Sequence, residues 1–150
     1  MGMSRARGAR MGEETNLFDL VSMFISDRPQ RRVRIRMDVP SPSSCIVAGE
    51  PEAWDRAVRS LIQEAFLATP VDLAVDVVLR ATRDVIELDV VDRGCGIPPE
   101  DYSSVIEAPE LDQVRNMLDY AGGSISVVSS DRGSTFKLIL PAVTVAERAA

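Results

Sequence analysis

Hydrophobic residues recur along the chain with two spacings, one typical of helices and one typical of strands. The helical spacing, with apolar residues three and four apart, predicts helices at about 15–26, 51–69 and 109–121. Alternating or continuous apolar runs predict six strands, at about 32–39, 45–48, 73–81, 85–91, 124–128 and 135–140. Each helix is therefore followed by two strands. Three helices on one face of a mixed β-sheet form a two-layer α/β sandwich, which is the predicted fold class.

Turn and capping residues mark the ends of these elements. Thr15 or Asn16 is suited to cap the first helix, and Pro29 is suited to end it. Gly122 begins a glycine pair that predicts the end of the third helix. Residues 92–108 are rich in glycine, proline, serine and acids, so they are predicted to form a loop.

The composition limits the class of protein. The chain has 150 residues, of which 45% are hydrophobic, and its formal net charge is −6. This length and apolar content predict one domain, at 14–143, with a disordered tail or expression remnant at 1–13 and a C-terminal tail at 144–150. The negative charge argues against nucleic acid and anionic membranes as partners. Since no apolar run has the length of a membrane span and no secretory signal is present, a cytoplasmic location is expected.

Cysteine and histidine narrow the chemistry further. Cys45 and Cys95 lack the spacing of a metal site, and two reduced thiols are favoured over one disulfide. The chain contains no histidine. It therefore has no phosphoacceptor histidine, no imidazole base and no histidine metal ligand.

The segment Asp92-Arg-Gly-Cys-Gly-Ile-Pro98 directly follows a predicted strand. A carboxylate at a strand end, followed by two glycines, lets the backbone approach a flat ligand while the acid accepts hydrogen bonds. An Asp-Gly turn that leaves a strand is also a common structural feature. The residues alone leave both interpretations open.

This segment resembles the first glycine box of the histidine-kinase, gyrase, heat-shock-ninety and mismatch-repair ATPases, the GHKL superfamily with the Bergerat fold. The similarity is greatest to the catalytic domain of sensor histidine kinases. It extends over most of the chain and includes Val47-Ala-Gly-Glu-Pro51, Gly122-Gly-Ser-Ile-Ser-Val-Val-Ser129 and Gly133-Ser-Thr-Phe136. The chain is identified as a degenerate member of this superfamily.

The resemblance implies a nucleotide pocket. Asp92 would bind the adenine amino group, Gly94 and Gly96 would shape the pocket, Ile97 belongs to the same box, and Thr135 would support the adenine through water. ATP or ADP with magnesium would be the ligand. The alternative is that these are inherited turn and strand residues around an empty pocket.

The magnesium-binding part of the family pattern is missing. The family places two asparagines four apart on the helix before the first hairpin, and Ser60 and Glu64 stand at those positions. Glu64 has an oxygen that suits magnesium, so it is the one candidate metal ligand. The other interpretation of Glu64 is a solvated or salt-bridged helix acid.

The phosphate-binding loop is also missing. The family has a Gly-x-Gly-Leu-Gly loop whose free amides hold the phosphates at a helix N-terminus, and residues 107–111 occupy that place here. Pro109 has no amide hydrogen. Glu107, Glu110 and Asp112 complement the helix dipole but would repel a triphosphate. Hydrolysis and phosphotransfer are therefore not expected from this chain alone.

Three functions fit these observations. The first is a regulatory module in bacterial signal transduction, a pseudokinase with weak or no nucleotide binding, whose partner is a histidine kinase, a response regulator or a transcription factor. The second is the ATP-binding domain of a divergent sensor histidine kinase. The third is an anti-sigma or switch-type regulator. An arginine group is a candidate surface for an acidic partner or simply the solvent face of a strand; it comprises Arg28, Arg31, Arg32, Arg34 and Arg36.

Overall fold

Two β-sheets and four α-helices are present in the computed structural model, which describes residues 13–24 and 32–143. The first half contains β1 (Glu14–Asn16), α1 (Leu17–Ser22), β2 (Val33–Asp38), β3 (Ile46–Ala48) and α2 (Pro51–Ala68). The second half contains β4 (Val75–Ala81), β5 (Val85–Val91), α3 (Tyr102–Ile106), α4 (Asp112–Ala121), β6 (Ser124–Ser130) and β7 (Gly133–Pro141). Short 3-10 turns lie at Pro42–Ser44, Pro99–Asp101 and Pro109–Leu111.

The larger sheet has the strand order β2-β4-β5-β7-β6. Strand β2 runs parallel to β4, and the other neighbours are antiparallel. Its side chains alternate between two faces: in β4, Val75, Val77 and Leu79 are fully buried under the helices, while Asp76 and Arg80 lie on the opposite face. One face is covered and the other is open, which confirms the predicted two-layer α/β sandwich with a mixed sheet.

The longest helix, α2, follows the apolar stripe of its sequence. Pro51 occupies its first turn, and Trp54, Val58, Leu61 and Ile62 are buried along one face. The Trp54 indole nitrogen donates a hydrogen bond of 2.8 Å to the Ala48 carbonyl, which ties the helix to β3. The spacing of apolar residues therefore predicted this helix correctly.

The third predicted helix is α4, and it ends as expected. Gly122 has a φ of 79°, a left-handed conformation that favours glycine, and its amide donates back to the Leu118 carbonyl. Val114, Met117 and Leu118 face α2 and the sheet. The predicted strands at 73–81, 85–91, 124–128 and 135–140 are likewise present, with ends shifted by one or two residues at most positions.

The predicted strand at 45–48 is present as β3, but it lies outside the main sheet. It pairs with β1, which the sequence pattern did not predict, in a separate two-stranded sheet where Glu14 faces Ala48. Thr15 is therefore a strand residue whose hydroxyl donates to the Gly49 carbonyl at 2.8 Å, and Asn16 is the helix cap, accepting from the Asp19 amide at 3.2 Å. A polar three-residue strand leaves no apolar period to detect.

The segment predicted as a loop, 92–108, contains the short helix α3. Its first residue anchors it, because the Tyr102 hydroxyl accepts a hydrogen bond of 3.2 Å from the Ser129 amide on β6. Val105 and Ile106 are partly buried against the core. A five-residue helix with only two apolar positions after its tyrosine is too short to show a helical period.

Some expectations fall at the limits of the described residues. Helix α1 ends at Ser22 with Met23 as its C-cap; residues 25 and 26 of the predicted helix and its predicted end at Pro29 lie outside the described residues, as do 1–12 and 144–150. Glu13, predicted to end the tail, accepts a hydrogen bond of 3.0 Å from the Gly49 amide. Within the ranges 13–24 and 32–143, every helix is too short or too polar to cross a bilayer.

Candidate functional site

A cavity of about 470 Å³ lies between the C-terminal half of α2, the loop after β5 and the start of α4. Its volume is within the range of about 300–1,000 Å³ that is typical of small-molecule sites. Its walls are mainly apolar or glycine, with three carboxylates; they include Glu64, Ala68, Asp92, Gly94, Cys95, Gly96, Ile97, Val105, Ala108, Glu110, Leu111, Ser134 and Phe136. Five of the six predicted site residues are in that set, and Thr135 is not.

Asp92 is the most constrained polar residue of the cavity. It is only 4% exposed, directly after β5, and its Oδ1 atom accepts hydrogen bonds from the Gly94 amide at 3.0 Å and the Ser134 amide at 3.1 Å. Its Oδ2 atom has no hydrogen-bond partner among the described residues, and Asp92 lines the cavity. One oxygen therefore holds the loop to β7, and the other is available to a ligand that donates a hydrogen bond.

The two predicted glycines are required by the packing of the chain itself. A methyl group on Gly94 would lie 2.7 Å from the Ala68 carbonyl oxygen of α2. Gly96 has a φ of +92°, and a methyl group there would lie 2.0 Å from the Ser130 carbonyl oxygen of β6. Their presence thus needs no ligand to explain it, although both shape the cavity wall.

Thr135, predicted to support the adenine, does not line this cavity. Side chains of β7 alternate between faces, so Ser134 (2% exposed) and Phe136 (6%) point to the cavity, while Thr135 lies on the open face of the sheet beside Lys137. The residue missed from the sequence is Ser134, whose hydroxyl lies 2.9 Å from that of Ser129. The residues two and four positions after Ser134 are apolar and buried on the same face of β7. That alternation is the sequence signal that could have identified Ser134.

Two further carboxylates line the cavity. Glu64 is half-buried on α2, and its pKa is raised, first by burial and then by the negative charge of Glu110. Together with Asp92 these acids make three carboxylates in the lining, and the part of the chain that the structure describes contributes no lysine or arginine to it. Such a lining attracts cations and repels anions.

A protein-built metal site is not found at Glu64. No group of three His, Cys, Asp or Glu residues within the described ranges is arranged to hold a metal ion. Magnesium in nucleotide sites is usually held by one or two carboxylates together with substrate phosphates. Glu64 therefore suits magnesium only where phosphates are also held.

The backbone at the predicted phosphate loop is already engaged. The Glu107 amide donates to the carbonyls of Ser103 and Val105, and the Ala108 amide donates to Val105 at 3.2 Å. After Pro109, which has no amide hydrogen, the Leu111 amide donates to Ala108 at 2.9 Å. The amides that would have to hold a polyphosphate are thus largely used within the turn.

An arginine fixes this arrangement. The Arg115 guanidinium donates to the carbonyls of Ile106 and of Ala108, the latter at 3.0 Å, and pairs with the Asp112 carboxylate. Its charge is directed at the carbonyls of the turn and at a helix acid. Arg115 therefore holds the loop in its present shape and is absent from the lining of the cavity.

The open face of the sheet carries a larger concavity, of about 670 Å³, whose charges mostly pair with one another. Arg80 and Lys137 contact Asp89 at 2.7 and 3.3 Å. Asp89 Oδ1 lacks a hydrogen-bond partner but is covered from solvent, so a ligand cannot reach it. For this reason the smaller cavity is the better candidate site.

The predicted arginine group belongs partly to this open face. Arg34 makes two hydrogen bonds with Asp76, at 2.7 and 3.1 Å, and Arg36 is exposed beside it. Arg28 and Arg31 lie outside the described residues. Both cysteines are free thiols, Cys45 buried and Cys95 exposed at the cavity, in agreement with the prediction of reduced thiols.

Comparisons with known proteins agree with the fold. Residues 49–144 match the family described as Histidine kinase-, DNA gyrase B-, and HSP90-like ATPase. The mycobacterial sensor histidine kinase MprB superposes with a TM-score of 0.72 and 22% identity, covering 87% of this chain and 97% of that one. Histidine kinase ThkA in complex with response regulator protein TrrA superposes with a TM-score of 0.69 and 19% identity, covering 85% and 41%. Full-length ShkA in complex with AMPPNP superposes with a TM-score of 0.67 and 18% identity, covering 86% and 30%. No curated protein matches by sequence.

Proposed function

Because this chain belongs to the histidine kinase-, DNA gyrase B- and HSP90-like ATPase family, we propose that it is a degenerate histidine-kinase-like domain. It acts as a protein-interaction module in bacterial signal transduction, in the cytoplasm, and does not transfer phosphate. The family supplies the fold and the adenine side of the pocket. The residues of this chain remove the phosphate side.

One observation supports the proposal: acids line the cavity, and the amides of the turn where the family resemblance would put the phosphate loop are already engaged. Glu64 and Glu110 line the cavity, and the amides of Ala108 and Leu111 already donate within the turn. A triphosphate would have to break those hydrogen bonds and approach two carboxylates without a compensating cation from the described lining. Magnesium alone does not repair this, since it is held in such sites partly by the phosphates themselves.

A module of this kind acts through its partners. The chain has no histidine, so it cannot accept a phosphoryl group as a histidine kinase or a histidine phosphotransferase does. Its proposed partners are a histidine kinase, a response regulator or, as in an anti-sigma-type regulator, a transcription factor. The relative ThkA, which is similar in fold, has been described in complex with a response regulator.

Isothermal titration calorimetry tests the proposal directly. The chain is titrated with AMPPNP and magnesium, and full-length ShkA, which is described in complex with that nucleotide, is the positive control. We expect binding by ShkA and none by this chain at nucleotide concentrations up to the millimolar range. Micromolar affinity for this chain would overturn the proposal.

The second candidate is the ATP-binding domain of a divergent kinase. It is favoured by one observation, the buried Asp92 carboxylate whose Oδ2 is available on the cavity side. Mixing the chain with a histidine-bearing dimerisation domain and γ-labelled ATP distinguishes the two. Transfer of label to that domain would support the kinase, and a folded chain that transfers none would exclude it.

A further inference from the structure

The outer edge of strand β2 is open. In the order β2-β4-β5-β7-β6, β2 is an edge strand, and no strand of the described ranges pairs with its outer side. The Arg32 carbonyl faces β4, since it accepts a hydrogen bond of 3.0 Å from the Val75 amide. Backbone groups alternate in direction along a strand, so the amides and carbonyls of Val33, Ile35 and Met37 face outwards. Because β2 contains no proline, this edge can accept a further strand.

A row of arginines lies along this edge. Arg32, just before β2, and Arg34 and Arg36 within it occupy every second position and are exposed. Residues two apart in a strand are separated by about 6.6–6.8 Å, and their side chains share one face of the sheet. An added strand has the same spacing. The row therefore matches an extended segment with acidic residues at every second position, and Asp38, next on the same face, ends the row.

The fold neutralises only part of this positive charge. Asp76 pairs with both Arg34 and Arg93, the latter from the loop after β5. Arg36 lies opposite Val78 of β4 and forms no ion pair with any residue that the structure describes. Positive charge therefore remains on this edge, although the whole chain has a net charge of −6.

A recess of about 190 Å³ lies at the start of the row, between Arg32, Arg34 and Arg93. Arg32 donates to the Asp72 carbonyl at 2.5 Å, and no carboxylate of the described part of the chain pairs with it. Guanidinium groups present several N–H donors in a geometry that matches a carboxylate. The recess therefore suits an acidic side chain at one end of the added segment.

We infer that the edge of β2 binds an extended acidic segment of a partner protein by strand addition, with a carboxylate at every second residue beside Arg32, Arg34 and Arg36. Backbone hydrogen bonds hold the segment, and the arginine row selects its sequence. A second copy of this chain does not fit, because two such edges would bring like charges opposite one another. This inference rests on the proposed function, since it supplies the partner surface of a protein-interaction module.

Fluorescent eight-residue peptides test this by anisotropy with the full chain. The alternating peptide has glutamate at every second position between valine and threonine, and the block peptide has the same composition with its four glutamates consecutive. We expect the alternating peptide to bind about tenfold more tightly, since three cross-strand ion pairs are gained. Two further versions of the alternating peptide are N-methylated, one at the glutamate amides and one at the amides between them. One version should lose binding and the other keep it, because only one edge of the peptide faces β2.

Amide hydrogen exchange measured by NMR locates the added strand. The amides of Ile35 and Met37, which face outwards, should exchange at least about tenfold more slowly with the alternating peptide bound. The amides of Arg34 and Arg36, which face β4, should change much less.

Variants assign the selectivity to the arginines. R32E/R36E should weaken binding of the alternating peptide at least about tenfold, because two attractive pairs become repulsive. The matched control is R56E/R132E, which makes the same change in net charge at exposed arginines of α2 and of the turn between β6 and β7. It should bind the peptide within about twofold of the unaltered chain.

The outcomes separate this inference from the proposed function. Equal binding of the alternating and block peptides, full binding by both methylated versions, or unchanged exchange at Ile35 and Met37 would overturn the inference. A single-stranded oligonucleotide that bound more tightly than the alternating peptide would also overturn it, since the edge would then select polyanions in general. None of these results bears on the proposed function. That is decided by the AMPPNP titration, in which micromolar binding would overturn it whether or not a peptide binds.

Discussion

Asp92 has a structural role and a proposed binding role, and two substitutions separate them. Asp92→Ala leaves the amides of Gly94 and Ser134 without the acceptor that they contact at 3.0 and 3.1 Å. An unsatisfied buried amide costs about 1–3 kcal/mol, so the loss of the acceptor for two amides is about 2–6 kcal/mol. That is a large share of the roughly 5–15 kcal/mol that stabilises a typical domain. Asp92→Asn keeps an oxygen for both amides, and its cost should be about 1 kcal/mol or less.

Urea unfolding measures both effects. Trp54 is the one tryptophan of the chain and is fully buried, so its fluorescence reports global unfolding. Asp84→Ala, which removes an exposed acid from the turn between β4 and β5, is the control and should change stability by less than about 0.5 kcal/mol. If Asp92→Ala is as stable as the control, or if Asp92→Asn unfolds as readily as Asp92→Ala, the assigned hydrogen bonds do not hold the loop.

Three further predictions concern charge and backbone. Burial and Glu110 raise the pKa of Glu64, so its ionisation destabilises the fold as pH rises. Glu64→Gln should therefore raise Tm at about pH 7.5 and leave it unchanged at about pH 4. A gain at both pH values would contradict this. Burial opposes ionisation of Asp76, but Arg34 and Arg93 outweigh it and lower its pKa. Asp76→Asn should lower the free energy of unfolding by about 1–2 kcal/mol at neutral pH, and this difference should shrink as acidification protonates the aspartate. A pH-independent cost would refute the pairing. Gly96→Ala should cost at least about 2 kcal/mol in urea unfolding. It should cost more than Gly122→Ala, where φ is also positive but a methyl group would meet only Pro141 at an ordinary contact distance of 3.7 Å; equal costs would argue against the contact with Ser130.

The elements that build the core were predictable because each carries its own period. The stripe through Trp54, Leu61 and Ile62 specifies a helix without reference to the rest of the chain, and the alternation at 32–39 specifies a strand. Strand β1 was not predictable in this way. Its three residues become a strand only because β3, some 30 residues later, pairs with them.

The site shows a similar division. The strand end at Asp92 and its glycines were identified from the sequence, as were the acids at 107–112. Thr135 lies on the open face of the sheet and not at the cavity, because side chains of β7 alternate between the two faces and a shift of one residue moves a side chain to the other face. The contacts of Arg115 with the carbonyls of Ile106 and Ala108 depend on the folded path of the turn, which no spacing in the sequence reveals.

The proposed function requires that the turn at 107–112 does not hold a polyphosphate. Its most direct test is a crystal structure of the chain soaked with AMPPNP and magnesium at millimolar concentration. We expect no ordered β- or γ-phosphate beside Ala108 and Leu111, and the Leu111 amide still donating to the Ala108 carbonyl. Ordered phosphates on those amides, with the turn opened to receive them, would contradict the account.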